Sequence, residues 1–568
     1  MPSLSIVVLD RLGSPLPEAA FKVGESTVET GAYYLTDVLQ LKDYVEEHHI
    51  IKLGLRFFYG DGRGSFQERP EVGRIEVPPP HSYQFDRGKL ENDLRQFNAK
   101  AGVELLEQCL VQDIHLAQHS QESHKIVYTQ QPRKETQIIQ AHWIVDAMGR
   151  RRFLQKKLGL AKPNNDKLNA AWFRVKGRLD VSDFVPDSEY QWQARVPNRN
   201  RYDSTNHLCG NGYWVWLIPL SSGYTSVGIV AHDDIHPFHL YNTYEKAYQW
   251  LEKHETVLAS HLKDKQPEDF MKMPKYSYSS NQVFSIDRWA CVGEAGVFPD
   301  PLYSPGTSMI GFANCLTTQI IELDLAGKLT QARVDEANHF LLTTSERATS
   351  SIQTYYLCRG NDVVLAMKYI WDTVAAWGYV TPLMYHGVFL DPEKMAKLRG
   401  EREHFFQLAQ RMQKLFCNWA AQSMERLSFE SINIILDLPF VAELRSRNFI
   451  LTKTDEELVE DHVANRELLE EFAQAIFLLA VADTMPEQLP RLLASGWLNA
   501  WAISLDVSRW ESDGLFQPHS QPRSLHRVTE PLRQILQLPE PIFDGVAQEN
   551  ALSSVPLVQH SAPQVLSI

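Results

Sequence analysis

The 568-residue chain sets 56 Lys and Arg against 70 Asp and Glu, a formal net charge of −14 at pH 7, and holds 44% hydrophobic residues with 13 Trp, 21 Tyr and 26 Phe. That composition excludes a disordered chain, which lacks the apolar surface to offset the entropy of ordering. It also argues against a nucleic-acid partner, which needs a clustered basic face, and the run Arg150-Arg151-Arg152 is too short to reverse the balance.

Cys109, Cys209, Cys291, Cys315, Cys358 and Cys417 are dispersed, with neither C-x-x-C nor zinc spacing. Reduced thiols and no metal centre are expected. No basic region followed by an apolar signal core opens the sequence, and no apolar run approaches the roughly 18 residues of a membrane span. The expectation is a cytoplasmic protein.

In chain order, "SIVVLDR" (5–11) reads as a buried parallel strand ending in Asp10. In dinucleotide-binding βαβ units such an acid holds a ribose hydroxyl, and a G-x-G-x-x-G turn lies about 20 residues earlier. Only nine residues stand before Asp10. A start internal to a longer reading frame, a trimmed fragment, or loss of the unit would each account for this. A misplaced or truncated start is favoured, because a buried strand with nothing before it leaves an unpaired edge.

Short apolar strands mixed with helical stretches continue to about residue 160, with "IVYTQ" and "WIVDAMG" the clearest later strands. From about 168 to 280, period-two alternation in "AAWFRVKG", "YQWQARV", "GYWVWLIPL" and "TSVGIVA" predicts a sheet. The strand "WACVGEAG", a loop rich in Pro and Gly, and a helix from near Thr307 follow. Beyond 335 the pattern turns helical, and Phe405, Leu408, Met412, Leu415, Phe416 and Trp419 recur near helical spacing. That stripe reads as core, with a substrate-facing wall as the alternative. "AIFLLAVA" (475–482) reads as a core helix, and the tail from 514, rich in Pro, Gln and Ser, as extended or partly disordered.

Four segments carry the chemistry: "SIVVLDR" with "FKVGEST", then "WIVDAMGRRRFLQKKLGL", "GYWVWLIPL" and "CVGEAGVFPDPLYSPGTSM". In this order and spacing they resemble the flavin-dependent halogenases, a branch of the FAD-binding monooxygenase superfamily, over residues 3 to 330. The resemblance implies an α/β (α+β) fold. A Rossmann-like FAD-binding domain of the aromatic hydroxylase type (1–165 and 281–330, incomplete at its N-terminus) would carry an inserted β-sheet substrate domain (166–280). A helical region (331–513) and the tail (514–568) would follow.

The resemblance also implies roles. Asp10 would take the adenosine ribose, and Gly24, Glu25, Arg87, Asp146, Gly149, Glu294, Pro301 and Ser304 would bind FAD. Glu294 stands where the superfamily usually has Asp, so its carboxylate sits on a longer arm. By themselves, "DAMGR" fits any strand-to-loop turn and Arg87 a helix cap. "WVWLIP" matches W-x-W-x-I-P at every fixed position; Trp214 and Trp216 share one face of the strand and would bar substrate from the flavin, or are simply two core tryptophans. The backbone amides of Gly306 and Thr307, at a helix head, would bind halide, since Pro305 has no donor to give.

Lys52, 28 residues after Gly24, would be the catalytic lysine, donating a hydrogen bond to hypohalous acid or forming a haloamine. An arbitrary lysine is instead a solvated surface group. Tyr303 stands where tryptophan halogenases carry Glu, which points to phenol, pyrrole or carrier-bound substrates. FAD as FADH2, halide (chloride or bromide), O2 and a separate flavin reductase are implied. A flavin monooxygenase or dehydrogenase, or a non-catalytic relative without competent FAD binding, are the competing readings.

Overall fold

A computed structural model describes residues 4–17, 23–76, 78–119, 121–132, 135–164, 166–536, 538 and 543. The longest β-runs build one eight-stranded sheet in the spatial order Met271–Pro274, Leu168–Lys176, Tyr224–His232, Tyr213–Pro219, Thr205–Gly210, Leu55–Phe58, Glu71–Gly73, Ser431–Asn433. Neighbours run antiparallel except at two places: Leu55–Phe58 lies parallel to Thr205–Gly210, and Ser431–Asn433 parallel to Glu71–Gly73.

Both faces of this sheet are covered. One face sends Trp172, Trp214, Trp216 and Ile218 into the main core. The other packs Phe173, Val215, Leu217 and Ile229 under Trp250, Leu251 and Leu258, which come from helices Tyr244–His254 and Thr256–Leu262. Every residue of Tyr213–Pro219 is therefore buried, and the strand reads as a continuous apolar run rather than the half-buried alternation expected from the sequence.

Smaller sheets flank it. Val7–Leu9 pairs in parallel with Glu104–Leu106, and Ile144–Asp146 with Trp289–Cys291. Strands Cys109–His115, His124–Gln130 and Glu135–Ala141 form an antiparallel meander. After helix Gly306–Leu325 the chain is mainly helical, through Gln331–Leu357, Asp362–Ala375, Arg399–Gln422 and Asp455–Thr484. The aromatic stripe from Phe405 to Trp419 is buried among these helices as core.

Three expectations are corrected. "YQWQARV" forms the short helix Tyr190–Ala194, because its buried apolar residues, Trp192 and Val196, stand four apart rather than two. The sheet assigned to 166–280 also recruits residues 55–58, 71–73 and 431–433, so it is not a self-contained insertion. Residues 514–536, expected to be extended, are packed: helix His526–Ile535 buries Val528 and Leu532 one turn apart, while Arg523 and Arg527 bind the buried Glu471. The tail beyond 543 lies outside the described residues.

Among the described residues no helix is long and apolar enough to cross a membrane, and no group of three or more His, Cys, Asp or Glu is arranged to hold a metal. All six cysteines are unbridged thiols.

Candidate active site

Where the tryptophan face of the sheet meets the Pro/Gly loop 293–305 and the head of helix Gly306–Leu325, the chain leaves a cleft. Gly24, Glu25, Arg87, Trp214, Trp216, Glu294, Pro301, Ser304, Gly306 and Thr307 all line it. Segments far apart in sequence thus converge on one site. Its walls are mostly apolar, with Ile218, Val297, Phe298, Met309 and Ile310 completing them.

The strand geometry places the two tryptophans. Trp216 pairs across the sheet with Gly228, where a Cβ would stand 2.1 Å from the Trp216 ring, so glycine is what lets the indole lie flat over the neighbouring strand. Its Nε1 donates to Ser226 Oγ at 3.0 Å, and Trp214 Nε1 donates to Tyr356 Oη at 2.8 Å. The rings lie 5.7 Å apart between centroids.

At the other wall, Met309 N–H takes Pro305 O at 3.0 Å as its acceptor. The amides of Gly306 and Thr307, one turn earlier, belong to the set that a helix cannot satisfy internally, and they meet the cleft at the positive end of the helix dipole. Ser304, just before them, is held at φ +56° and its N–H donates to Pro301 O at 2.8 Å.

Lys52 does not line the cleft. Strand Ile50–Lys52 pairs with Ser82–Gln84 and places Lys52, 1% exposed, directly behind it. Lys52 Nζ donates to Ser26 Oγ at 2.8 Å and Thr27 O at 2.6 Å. Ser26 Oγ in turn meets Ser304 Oγ at 2.9 Å and Thr205 Oγ1 at 2.7 Å, and those three hydroxyl residues all face the cleft. One hydroxyl layer therefore separates the amine from the cavity. Burial pushes the Lys52 amine down to about 7, opposed by Glu29 and reinforced by Arg74.

Glu25 is buried in the cleft wall, and its Oε2 has no hydrogen-bond partner. Burial pushes its carboxyl up to about 8; Ser226 and Arg174 oppose that rise, while Asp86 and Asp269 add to it. Arg174 is itself engaged by Asp269 at 3.0 Å. Because the folded carboxyl holds its proton more tightly than the unfolded one, the contribution of Glu25 to stability falls as pH rises from about 4.5 to about 8. Wild-type stability measured against Glu25→Gln, by urea unfolding at pH 5, 6.5 and 8, is expected to fall across that window; parallel curves would refute it.

Arg87 opens helix Arg87–Lys100 and donates to Val23 O at 3.0 Å, bracing the Gly24 turn. Gly24, at φ +90°, passes so close that a Cβ would meet Arg87 Nη1 at 3.0 Å. Burial raises the Glu294 carboxyl, against the pull of Arg150 and Arg87.

Besides Lys52, three predicted residues stay outside the cleft lining. Asp10 follows its strand, accepts from Leu12 N–H at 2.9 Å and binds Arg95. Asp146, 1% exposed, accepts from Met148 N–H and Leu154 N–H, each at 2.9 Å, and so braces the turn after its strand. Gly149, at φ +56°, approaches from beneath: a Cβ there would stand 3.9 Å from Glu294 Oε2.

Ser26, Thr205 and His207 belong to the site but were not singled out in the sequence. Burial, with Lys52 adding, pushes the His207 imidazole down to about 3, so it is a neutral ring, stacked on Phe57 at 4.5 Å. The serine after "GE" was the available signal for Ser26.

No family model matches the chain. The flavin-dependent halogenase chlA of Dictyostelium discoideum is 27% identical over 387 residues, covering 64% of this chain and 62% of that protein. This chain is related to the flavin-dependent halogenases. A 1H-pyrrole-2-carbonyl-(peptidyl-carrier protein) chlorinase of Pseudomonas fluorescens is 25% identical over 276 residues, covering 48% of this chain and 58% of that one. The solved structure of halogenase PltM in complex with phloroglucinol and FAD superposes with a TM-score of 0.56 at 17% identity, covering 81% of this chain and 92% of that one. The chain spans about six tenths of the length of the curated halogenases it matches.

Proposed function

We propose that this chain is an FADH2-dependent halogenase of electron-rich aromatic rings, phenol- or pyrrole-like, free or carrier-bound. The observation that carries the reading is the buried Lys52, one hydroxyl layer behind a cleft whose far wall ends in helix-head amides. The relatives named for pyrrolyl-carrier chlorination and the structure with phloroglucinol support the substrate class. So does Tyr303, which sets a half-buried phenol ring against Phe57 and Tyr369 where tryptophan halogenases carry Glu.

The cleft suits a flavin ring: its walls are aromatic and aliphatic, and the unpartnered Glu25 Oε2 gives it a polar atom to engage. Gly24, Glu25, Arg87, Glu294, Pro301 and Ser304 would hold FAD there; Asp10 would take the adenosine ribose, with the Asp146–Gly149 turn below. Reduced FAD, when bound, supplies with O2 the two-electron oxidation of halide to hypohalous acid.

The remaining work falls to side chains and amides of this chain. Gly306 and Thr307 hold the halide, because backbone N–H groups at a helix head favour an anion. Trp214 and Trp216 fill the wall and keep the organic substrate off that side. With an amine near pH 7, both forms of Lys52 are available: the ammonium donates a hydrogen bond to hypohalous acid, and the neutral amine takes up halogen with release of water. Halogen then passes to the ring carbon and the ring proton leaves. A separate reductase supplies the reduced flavin, and the dispersed thiols suit a cytoplasmic setting.

The test is incubation with FAD, a flavin reductase, O2 and bromide, using a phenol in one arm and a pyrrole-loaded carrier protein in the other. A product carrying the bromine isotope doublet is expected in at least one arm. Hydroxylated product alone, or no turnover in either arm, rejects the reading.

A further inference from the structure

One buried carboxylate ties the two walls of the cleft together. Asp300, fully buried in the loop before Ser304, accepts from Leu302 N–H at 2.9 Å through Oδ1. Its Oδ2 accepts from Tyr276 Oη at 2.5 Å and from Tyr356 Oη at 3.0 Å. Tyr356 lies in the helix Gln331–Leu357, and its hydroxyl accepts from the cleft tryptophan, Trp214 Nε1. Every donor in this network points toward Asp300.

The other end of the same loop reaches the reactive groups. Ser304 lies two residues beyond Leu302 and hydrogen-bonds Ser26, which receives the Lys52 amine. Gly306 and Thr307 follow directly. The position of these amides therefore depends on how the loop is pinned at Asp300, and nothing in the W-x-W-x-I-P strand itself could fix it. Hydrogen bonds from buried donors to a carboxylate are stronger than those to a neutral acceptor, which suits a loop whose Ser304 sits in the left-handed region.

We infer that Asp300 is a positioning residue, acting through Tyr356 and Leu302 to lock the Trp214 wall and the anion-binding amides into one rigid unit. The inference rests on the proposed halide role of Gly306 and Thr307, and it makes the helical region beyond residue 330 a working part of the site through Tyr356. Neither Asp300 nor Tyr356 touches the anion; each sets the geometry of groups that do.

Bromide binding to the full chain, read from line broadening of the 81Br resonance, tests this without turnover. Asp300→Asn is expected to raise the bromide dissociation constant about tenfold, and Tyr356→Phe about threefold. The double variant is expected to be no weaker than Asp300→Asn alone, since both act through one contact. Tyr355→Phe is the control: its hydroxyl is equally buried, one residue away on the same helix, but faces Cys209 rather than Asp300. Wild-type affinity in Tyr356→Phe, or equal weakening in Tyr355→Phe, overturns the inference, and Tyr356→Phe decides the matter if Asp300→Asn does not fold. Absence of broadening in the wild type would instead remove the halide reading and the inference together.

Discussion

Lys52→Met is expected to lower halogenated product by about 100-fold or more, the scale on which a positioned proton donor or acceptor contributes, while flavin binding and oxygen consumption continue. The reason is geometric: among the described residues no other lysine is joined to the cleft through Ser26 and Ser304. The same substitution is expected to stabilise the fold. A lysine held near 7 when folded but near 10.5 when unfolded gives stability that is present above the unfolded value and lost as pH falls toward 7. Wild-type stability, measured against Lys52→Met, therefore rises across that window. Matching product yields in the two proteins would refute the catalytic assignment; matching pH–stability curves would refute the burial argument.

Glu71→Ala carries the largest expected structural effect. Glu71, 2% exposed, lies between Arg56 and Arg201, which it meets at 2.9 and 3.1 Å, with Arg56 in direct contact. Arg201 also stacks 3.6 Å over Trp192, and Gly73 leaves room that a Cβ would deny to the Arg56 guanidinium. Removing the carboxylate leaves two buried guanidinium groups without their counter-charge, which costs about 3–5 kcal/mol for a single broken pair. Urea unfolding should show a loss of at least that size. A change under about 1 kcal/mol would mean that water replaces the carboxylate, contrary to the burial described. Because Arg56 is only four residues from Lys52, across the turn at Gly54, partial loss of the pair should also loosen the lysine.

Much of the site was legible because its residues sit in short local patterns. "WVWLIP" fixes which indoles share a face, and "DPLYSPG" fixes a turn feeding a helix, whatever the rest of the chain does. Asp10 and Asp146 show the limit of such patterns. An acid at a strand end can spend its lone pairs on a ligand or on the next turn's amides, and Asp146 gives both oxygens to Met148 and Leu154. Ser26, Thr205 and His207 were illegible for another reason: Ser26 and Thr205 meet across 179 residues of sequence, through strand pairings that no local period announces. The misread "YQWQARV" and the packed segment 514–536 failed alike, each too short for its spacing to outweigh composition.

The Ser431–Asn433 strand closes the large sheet beside Glu71–Gly73, with about 360 residues of chain between the two. A ribosome adding 5–20 residues per second needs roughly 20–70 s to cover that distance. During this interval the Glu71–Gly73 edge has no outer neighbour, and an uncovered strand edge is a template for pairing with other chains. That edge stays open until the helical half has been made, and slowing translation of residues 331–430 is expected to raise the share of this protein lost to aggregation.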